Sequence, residues 1–328
     1  MRAICYREGG DASELYFCER PMPVPGPQEI RIWVYATALN RADILQRRGK
    51  YPPPPGASPI LGLEVAGVVD AVGEQVRRWR RGDRVMALLD GGGYATYAIA
   101  HEGLAMPIPE RLSFEEAAAI PEAFLTAYQA LFWLAQFETN TYVLIHAGAS
   151  GVGTAAIQLV TLHGGKPIVT AGSAEKIAFC KSLGAVAGFN YREGPFAPGV
   201  AKVTGNQGVR VVIDFVGAPY WEQNLQVLAP DGYIVLLATL GGAKIQTCDL
   251  RKLFQKWAHV AASTLRNRPL DYKVKLVHAF ERDVLPFFEA GKLRPVIYRV
   301  VSWQEVSKAH QWMEHNQNIG KIVLRVDG

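Results

Sequence analysis

The chain has 328 residues, 49% of them hydrophobic and 20% charged, which supplies apolar material for two cores and excludes an intrinsically disordered protein. Its 35 basic and 30 acidic residues leave a formal charge of +5, too balanced to mark nucleic-acid binding by charge alone. Cys5, Cys18, Cys180 and Cys248 stand far apart without a C-x-x-C pair, so neither structural zinc nor a disulfide framework is expected, and a reducing compartment follows.

No charged-then-apolar leader opens the chain. The longest apolar segment, 117–137, contains Pro121, Glu122 and Gln129 and reads as a buried helix, not a membrane span. A cytoplasmic protein is expected.

The first third is mostly β. After the prolines at 21, 23, 25 and 27, Ile30, Ile32 and Val34 alternate as a half-buried strand requires, and 40–48 has helical composition. Pro52–Pro55 and Gly56 form a stiff loop that limits the freedom of Tyr51. Segments 61–72 and 84–89 read as strands around the turn Gly82-Asp83, and Gly91-Gly92-Gly93 relieves crowding in a tight hairpin. Ser113 and Glu116 form a capping box that starts a helix, Pro121 breaks it, and a second helix is expected over 122–136.

From Tyr142 strands and helices alternate. Strands are expected at 142–145, 167–171, 187–190, 209–215, 232–239 and 259–264, with helices to residue 163, over 173–183 and over 220–228. Residues 195–205 look irregular. Such alternation predicts an α/β fold, a doubly wound parallel sheet of the Rossmann kind. A helix over 271–290, a strand over 296–301, a helix over 303–315 and a strand over 321–326 close the chain, and this tail is expected to return to the first domain. The expected division is 1–122, 123–268 and 269–328.

The chemistry centres on Y-V-L-I-H-A-G-A-S-G-V-G-T, residues 142–154. Val143–Ile145 are an apolar strand, Gly148, Gly151 and Gly153 open room for a pyrophosphate, and the helix start beyond them offers N–H groups to its charge. The G-x-G-x-x-G pattern asks for glycine at 150 and finds Ser150, so the turn alone is equally a plain strand-to-helix connection. Cofactor choice turns on the end of the second strand. An NAD enzyme is expected to place an acid there for the ribose 2′-hydroxyl, whereas this chain has Thr170-Ala171-Gly172-Ser173 followed by Lys176. Ser173 and Lys176 suit the 2′-phosphate of NADP, although an N-cap serine and a solvated lysine would look the same. Tyr191, after the third strand, offers a further phenol.

No cysteine or histidine cluster has metal-ligand spacing. His146 ends an apolar strand and reads as a satisfied core histidine, and His101 and Glu102 read as a surface turn, so no clear proton donor is visible. The run Arg77-Arg78-Trp79-Arg80-Arg81 interleaves an aromatic with charge as single-strand binders do, but a solvated loop is the commoner explanation.

Taken together, Asn40-Arg41-Ala42-Asp43, Gly62-Leu63-Glu64-Val65-Ala66-Gly67, Gly82-Asp83-Arg84-Val85, Ile120-Pro121-Glu122-Ala123 and residues 146–153 resemble the zinc-free quinone oxidoreductases of the medium-chain dehydrogenase/reductase superfamily. The resemblance covers essentially the whole chain. Residues 51–58, 170–173, 188–191 and 313–324 look most like its tumour-suppressor-induced branch in animals. It implies a homodimeric NADPH enzyme that reduces quinones in a cleft between a GroES-like β-rich catalytic domain and a Rossmann domain. By the same resemblance Tyr51 and Asn40 line the nicotinamide and substrate, Thr126 stands near the nicotinamide, and Ser150, Gly151, Val152 and Gly153 hold the pyrophosphate. Gly172, Ser173, Lys176 and Tyr191 surround the 2′-phosphate. Where zinc-dependent relatives carry a cysteine ligand and a G-H-E triplet, this chain has Asn40 and Gly62-Leu63-Glu64. Two other readings stand beside this one: reduction of the C=C bond of α,β-unsaturated carbonyls, and a non-catalytic RNA-binding protein using the arginine-rich loop.

Overall fold

A computed structural model describes residues 1–327. The chain forms two compact units, one of Met1–Leu125 together with the chain from Arg266 onward, the other of Thr126–Leu265.

The first unit opens with β1 (Arg2–Cys5) and β2 (Tyr16–Glu19), an antiparallel pair. Its main sheet begins with β3 (Glu29–Ala38), where Ile30, Ile32, Val34 and Ala36 are buried in the strict alternation of a one-sided strand. There follow α1 (Arg41–Arg47), β4 (Glu64–Val72), β5 (Arg84–Leu88), β6 (Tyr97–His101), β7 (Ala105–Pro107) and α2 (Phe114–Ala117). Ser113 and Glu116 cap α2 reciprocally, at 3.2 and 2.9 Å. Then α3 (Pro121–Tyr128) starts on Pro121, whose missing N–H costs nothing in a first turn. It runs on as a π-helical stretch, Gln129–Leu134, where a single helix over 122–136 was expected.

The second unit is built from β8 (Tyr142–Ile145), α4 (Gly151–Leu162), β9 (Lys166–Ala171), α5 (Ala174–Ser182), β10 (Ala187–Asn190), α6 (Ala197–Val203), β11 (Val209–Asp214), α7 (Trp221–Val227), β12 (Leu228–Leu236), α8 (Arg251–Lys256) and β13 (His259–Ala262). Its six strands are all parallel, in the order β10-β9-β8-β11-β12-β13. Central β8 therefore buries Val143, Leu144 and Ile145 completely, the reason it reads as an unbroken apolar run. The order reverses beside β8, and such a switch point opens a crevice for ligands at the carboxyl ends of the strands.

The chain closes in the first unit with α9 (Leu270–Asp283), α10 (Leu285–Glu289), β14 (Ile297–Ser302), α11 (Val306–Glu314) and β15 (Lys321–Arg325). Pro286 lies in the first turn of α10 and cannot donate to the preceding turn, so the single helix expected over 271–290 divides at Val284. β15 pairs with β3 through Val323 opposite Ala38, and β3 pairs with β4 through Thr37 opposite Val65. That register brings Lys321, Asn40 and Glu64 to one end of the sheet.

The cysteines depart from the expectation that none is bridged. Cys5 and Cys18 are joined as a disulfide, with Cα atoms 6.0 Å apart, because the β1–β2 register sets Ala3 opposite Cys18. Cys180 and Cys248 are free.

Candidate active site

In the second unit the β8–α4 turn is tight. A Cβ added at Gly153 would lie 2.5 Å from the carbonyl oxygen of Ala147 and 2.6 Å from that of Gly148, so backbone approaches backbone where only glycine fits. Ala147 itself adopts a left-handed φ of 48°. Ser150 has an extended backbone that needs no glycine, and its Oγ accepts the Gly153 N–H at 3.0 Å as the N-cap of α4. The serine that departs from the glycine pattern is thus a helix cap. The early N–H groups of α4, at Gly151 and Val152, lack intrahelical partners and carry the positive end of the helix dipole.

At the end of β9 a Cβ on Gly172 would lie 2.7 Å from the Tyr191 Oη. The glycine is what lets the phenol reach this edge, and Tyr191 is exposed. Ser173 caps α5 by accepting the Lys176 N–H at 3.3 Å, which leaves its own hydroxyl proton able to donate. Lys176 is half-buried in the first turn of α5, and no carboxylate stands among residues 170–173. Thr126 lies buried on α3, within the second unit.

His146 is fully buried, with Nδ1 and Nε2 each 2.8 Å from Thr170 Oγ1 and Asn224 Oδ1. Burial holds its pKa below the usual range against the nearby Asp214 charge. It is a satisfied core histidine.

In the first unit the polar groups form one buried network. Asn40 starts α1 and donates from Nδ2 to Glu64 Oε1 at 2.9 Å. Lys321 Nζ donates to Asn40 Oδ1, Glu64 Oε1 and the Leu39 carbonyl, each at 2.7 Å. The other Glu64 oxygen accepts the Glu122 N–H at 2.8 Å. Asp43 accepts the Asn40 and Gly62 N–H groups at 2.7 and 2.9 Å, yet burial still lifts its pKa to about 6. The Arg266 guanidinium lies 5.5 Å from the ring centre of Tyr51. Arg266 is buried and fixed by the Asp90 carbonyl at 2.8 and 2.5 Å, while its NH1 has no partner.

The structure brings Asn40 into this network and sets Tyr51 at Arg266. Lys321, Arg266 and Glu122 were not anticipated. For Glu122 a signal existed, a lone acid inside an apolar run directly after Pro121. Lys321 had a fainter one, a lysine at the head of the apolar strand Ile322-Val323-Leu324.

The donor set around Asn40 does not suit zinc. Leu63 is a buried hydrocarbon, Asn40 contributes a neutral amide, and Glu64 is already neutralised by an ammonium that would repel a second cation. Among the described residues no group of three or more His, Cys, Asp or Glu could hold a metal ion.

The arginine-rich loop lacks a stacking platform. Trp79 is only 9% exposed and its Nε1 donates to the Glu102 carbonyl at 2.9 Å, while Arg78 is paired with Glu281. Glu102 Oε2 also accepts the Arg77 and Arg78 N–H groups at 2.9 and 3.0 Å. Trp79 is therefore held in the fold and is not a face on which a base could stack, while Arg77, Arg80 and Arg81 are exposed. No helix among the described residues is long and apolar enough to cross a membrane.

Comparison with known proteins agrees with this geometry. Residues 26–110 match the alcohol dehydrogenase GroES-like domain, and residues 151–282 match the zinc-binding dehydrogenase family. The chain is 31% identical to a quinone oxidoreductase of Sus scrofa over 92% of its own length and 91% of that protein's. Among solved structures, an NAD-dependent alcohol dehydrogenase superposes with a TM-score of 0.87 at 32% identity, covering 100% of both chains. The Escherichia coli quinone oxidoreductase in complex with NADPH superposes with a TM-score of 0.88 at 28% identity, covering 99% of this chain and 100% of the other. The chain belongs to the medium-chain dehydrogenase/reductase superfamily and is an oxidoreductase, with a GroES-like domain and a Rossmann-type parallel sheet.

Proposed function

We propose that this enzyme reduces quinones with NADPH and without a metal, in the manner of the tumour-suppressor-induced branch that its sequence resembles. The observation that carries the reading is the Asn40–Glu64–Lys321 network with Tyr51 at Arg266. It offers a carbonyl acceptor a phenol, a guanidinium and an apolar ring, and no Lewis-acid site. A quinone gains aromaticity on reduction, so orientation and charge suffice for much of the barrier. Bound NADPH would supply the hydride. The pyrophosphate falls to Ser150, Gly151, Val152 and Gly153, and the 2′-phosphate to Gly172, Ser173, Lys176 and Tyr191. Thr126 is assigned to the nicotinamide, and Tyr51 and Asn40 to the acceptor. Support for NADP over NAD is the absence of an acid at the end of β9 and the presence of Lys176 in its place.

A homodimer is part of the reading. Edge strand β13 carries exposed Val260, and Leu250, Phe254 and Trp257 on and beside α8 are exposed too, an apolar edge suited to a second copy. The free thiols of Cys180 and Cys248 favour the cytoplasm and the Cys5–Cys18 bond weighs against it, which fractionation of cells decides. One observation favours reduction of α,β-unsaturated carbonyls as a second activity: the enclosed Oε2 of Glu122 has no hydrogen-bond partner, which favours a protonated carboxyl, and a reduced C=C bond needs a proton. The test is turnover of purified protein with NADPH against ortho- and para-quinones and alkenals. Quinone reduction is expected to be faster, and no NADPH oxidation with any quinone would end the proposal.

A further inference from the structure

Glu122 differs from the other carboxyls of its network. Asp43 has two backbone N–H donors and the Tyr94 hydroxyl at 3.4 Å. Glu64 has the Asn40 amide, the Lys321 ammonium and the Glu122 N–H. Lys321 spends its three protons on Leu39, Asn40 and Glu64, so it has none for a second carboxylate. The Glu122 side chain is half-buried overall, yet its Oε2 is enclosed and has no partner. A buried ionised oxygen in that position would be costly, whereas a protonated one is tolerated.

A second observation points to an absent ligand. Arg266 is 3% exposed, and its NH1 is buried without an acceptor although its other nitrogens are committed to Asp90. A guanidinium proton left empty beside Tyr51 suits the oxygen of a bound carbonyl compound.

We propose that Glu122 is the proton donor of the reduction, giving its carboxyl proton to an acceptor whose oxygen is held by Arg266. The inference rests on the reductase reading above. Hydride addition leaves the acceptor as a hydroquinone monoanion or an enolate. The O–H bond of Glu122 then breaks, and an O–H bond forms on the hydroquinone or a C–H bond on the α-carbon of the enolate. The bonding pair stays on Glu122 as a carboxylate, and water restores the proton. Burial lifts the Glu122 pKa to about 8, the Glu64 charge and more weakly Asp43 add to the rise, and Lys321 and Arg266 oppose it. The group is therefore an acid at neutral pH and ceases to be one above about pH 8.

The test compares the wild type with Glu122→Gln and Glu122→Asp. Wild-type kcat is expected to hold at neutral pH and fall above about 8. Glu122→Gln keeps the shape but not the acid. Its kcat should drop roughly 100-fold with KM little changed and the alkaline limb gone, while Glu122→Asp restores part of both. Independently of turnover, infrared spectra of the cofactor-free protein at neutral pH should show a protonated-carboxyl band that Glu122→Gln lacks. The proposal is overturned if that band is missing from the wild type, or if Glu122→Gln keeps the wild-type rate and alkaline limb. A wild type that reduces no quinone or enone overturns the reductase reading and the donor role together, even where the infrared band is present.

Discussion

Replacing Lys321 by Met probes the buried polar network of the first unit. Lys321 is 4% exposed and Glu64 is fully buried, so Lys321→Met leaves the Glu64 carboxylate without its counter-ion while keeping most of the side-chain stem. Removing one partner of a buried ion pair costs about 3–5 kcal/mol, because the remaining charge cannot reach water. Two more acceptors, Asn40 Oδ1 and the Leu39 carbonyl, lose their donor at the same time. The expected loss at neutral pH is therefore about 4 kcal/mol. Combining it with Glu64→Gln removes the stranded charge and should recover about 2 kcal/mol of that loss. Urea denaturation of the wild type, both single variants and the double variant gives the full cycle. A single-variant loss under about 1 kcal/mol, or a double variant no better than Lys321→Met, would refute the buried-pair reasoning.

Two further outcomes follow from the geometry. Gly153→Ala puts a Cβ 2.5 Å from a backbone oxygen that cannot yield cheaply, so calorimetry should show dinucleotide affinity falling by about 2 kcal/mol, roughly thirtyfold, and unchanged affinity would contradict the tight-turn account. Reducing the Cys5–Cys18 bond, whose partners are 13 residues apart in sequence, reopens a short loop and should lower stability by up to about 3 kcal/mol; an unchanged denaturation midpoint under dithiothreitol would mean that the pair is not bonded in solution.

What could be read from the sequence was local. Val143–Ile145, the glycine turn and the Ser113–Glu116 capping box show their period or cap within a dozen residues, and each forms where expected. What escaped was set by pairing at a distance. Lys321 meets Asn40 across 281 positions only through the β15–β3 register, and no spacing announces it. Cys5 and Cys18 likewise meet through the β1–β2 pairing. Helix α6 was hidden because Pro198 and Gly199 occupy its first turn, where a proline is tolerated, yet in sequence both residues read as breakers. The proton donor went unseen because Glu122 looks like any helical acid until burial and the neighbouring Glu64 raise its pKa.

The central claim, an NADPH-dependent quinone reductase, is tested most directly by comparing kcat/KM for NADPH and NADH with one ortho-quinone, in the wild type and in Lys176→Ala. Lys176 would supply charge to the 2′-phosphate alone, so the wild type should prefer NADPH at least tenfold, and the variant should lose about 1–2 kcal/mol on NADPH while NADH is unaffected. Equal use of both dinucleotides by the wild type, or equal weakening of both by the substitution, would contradict the account.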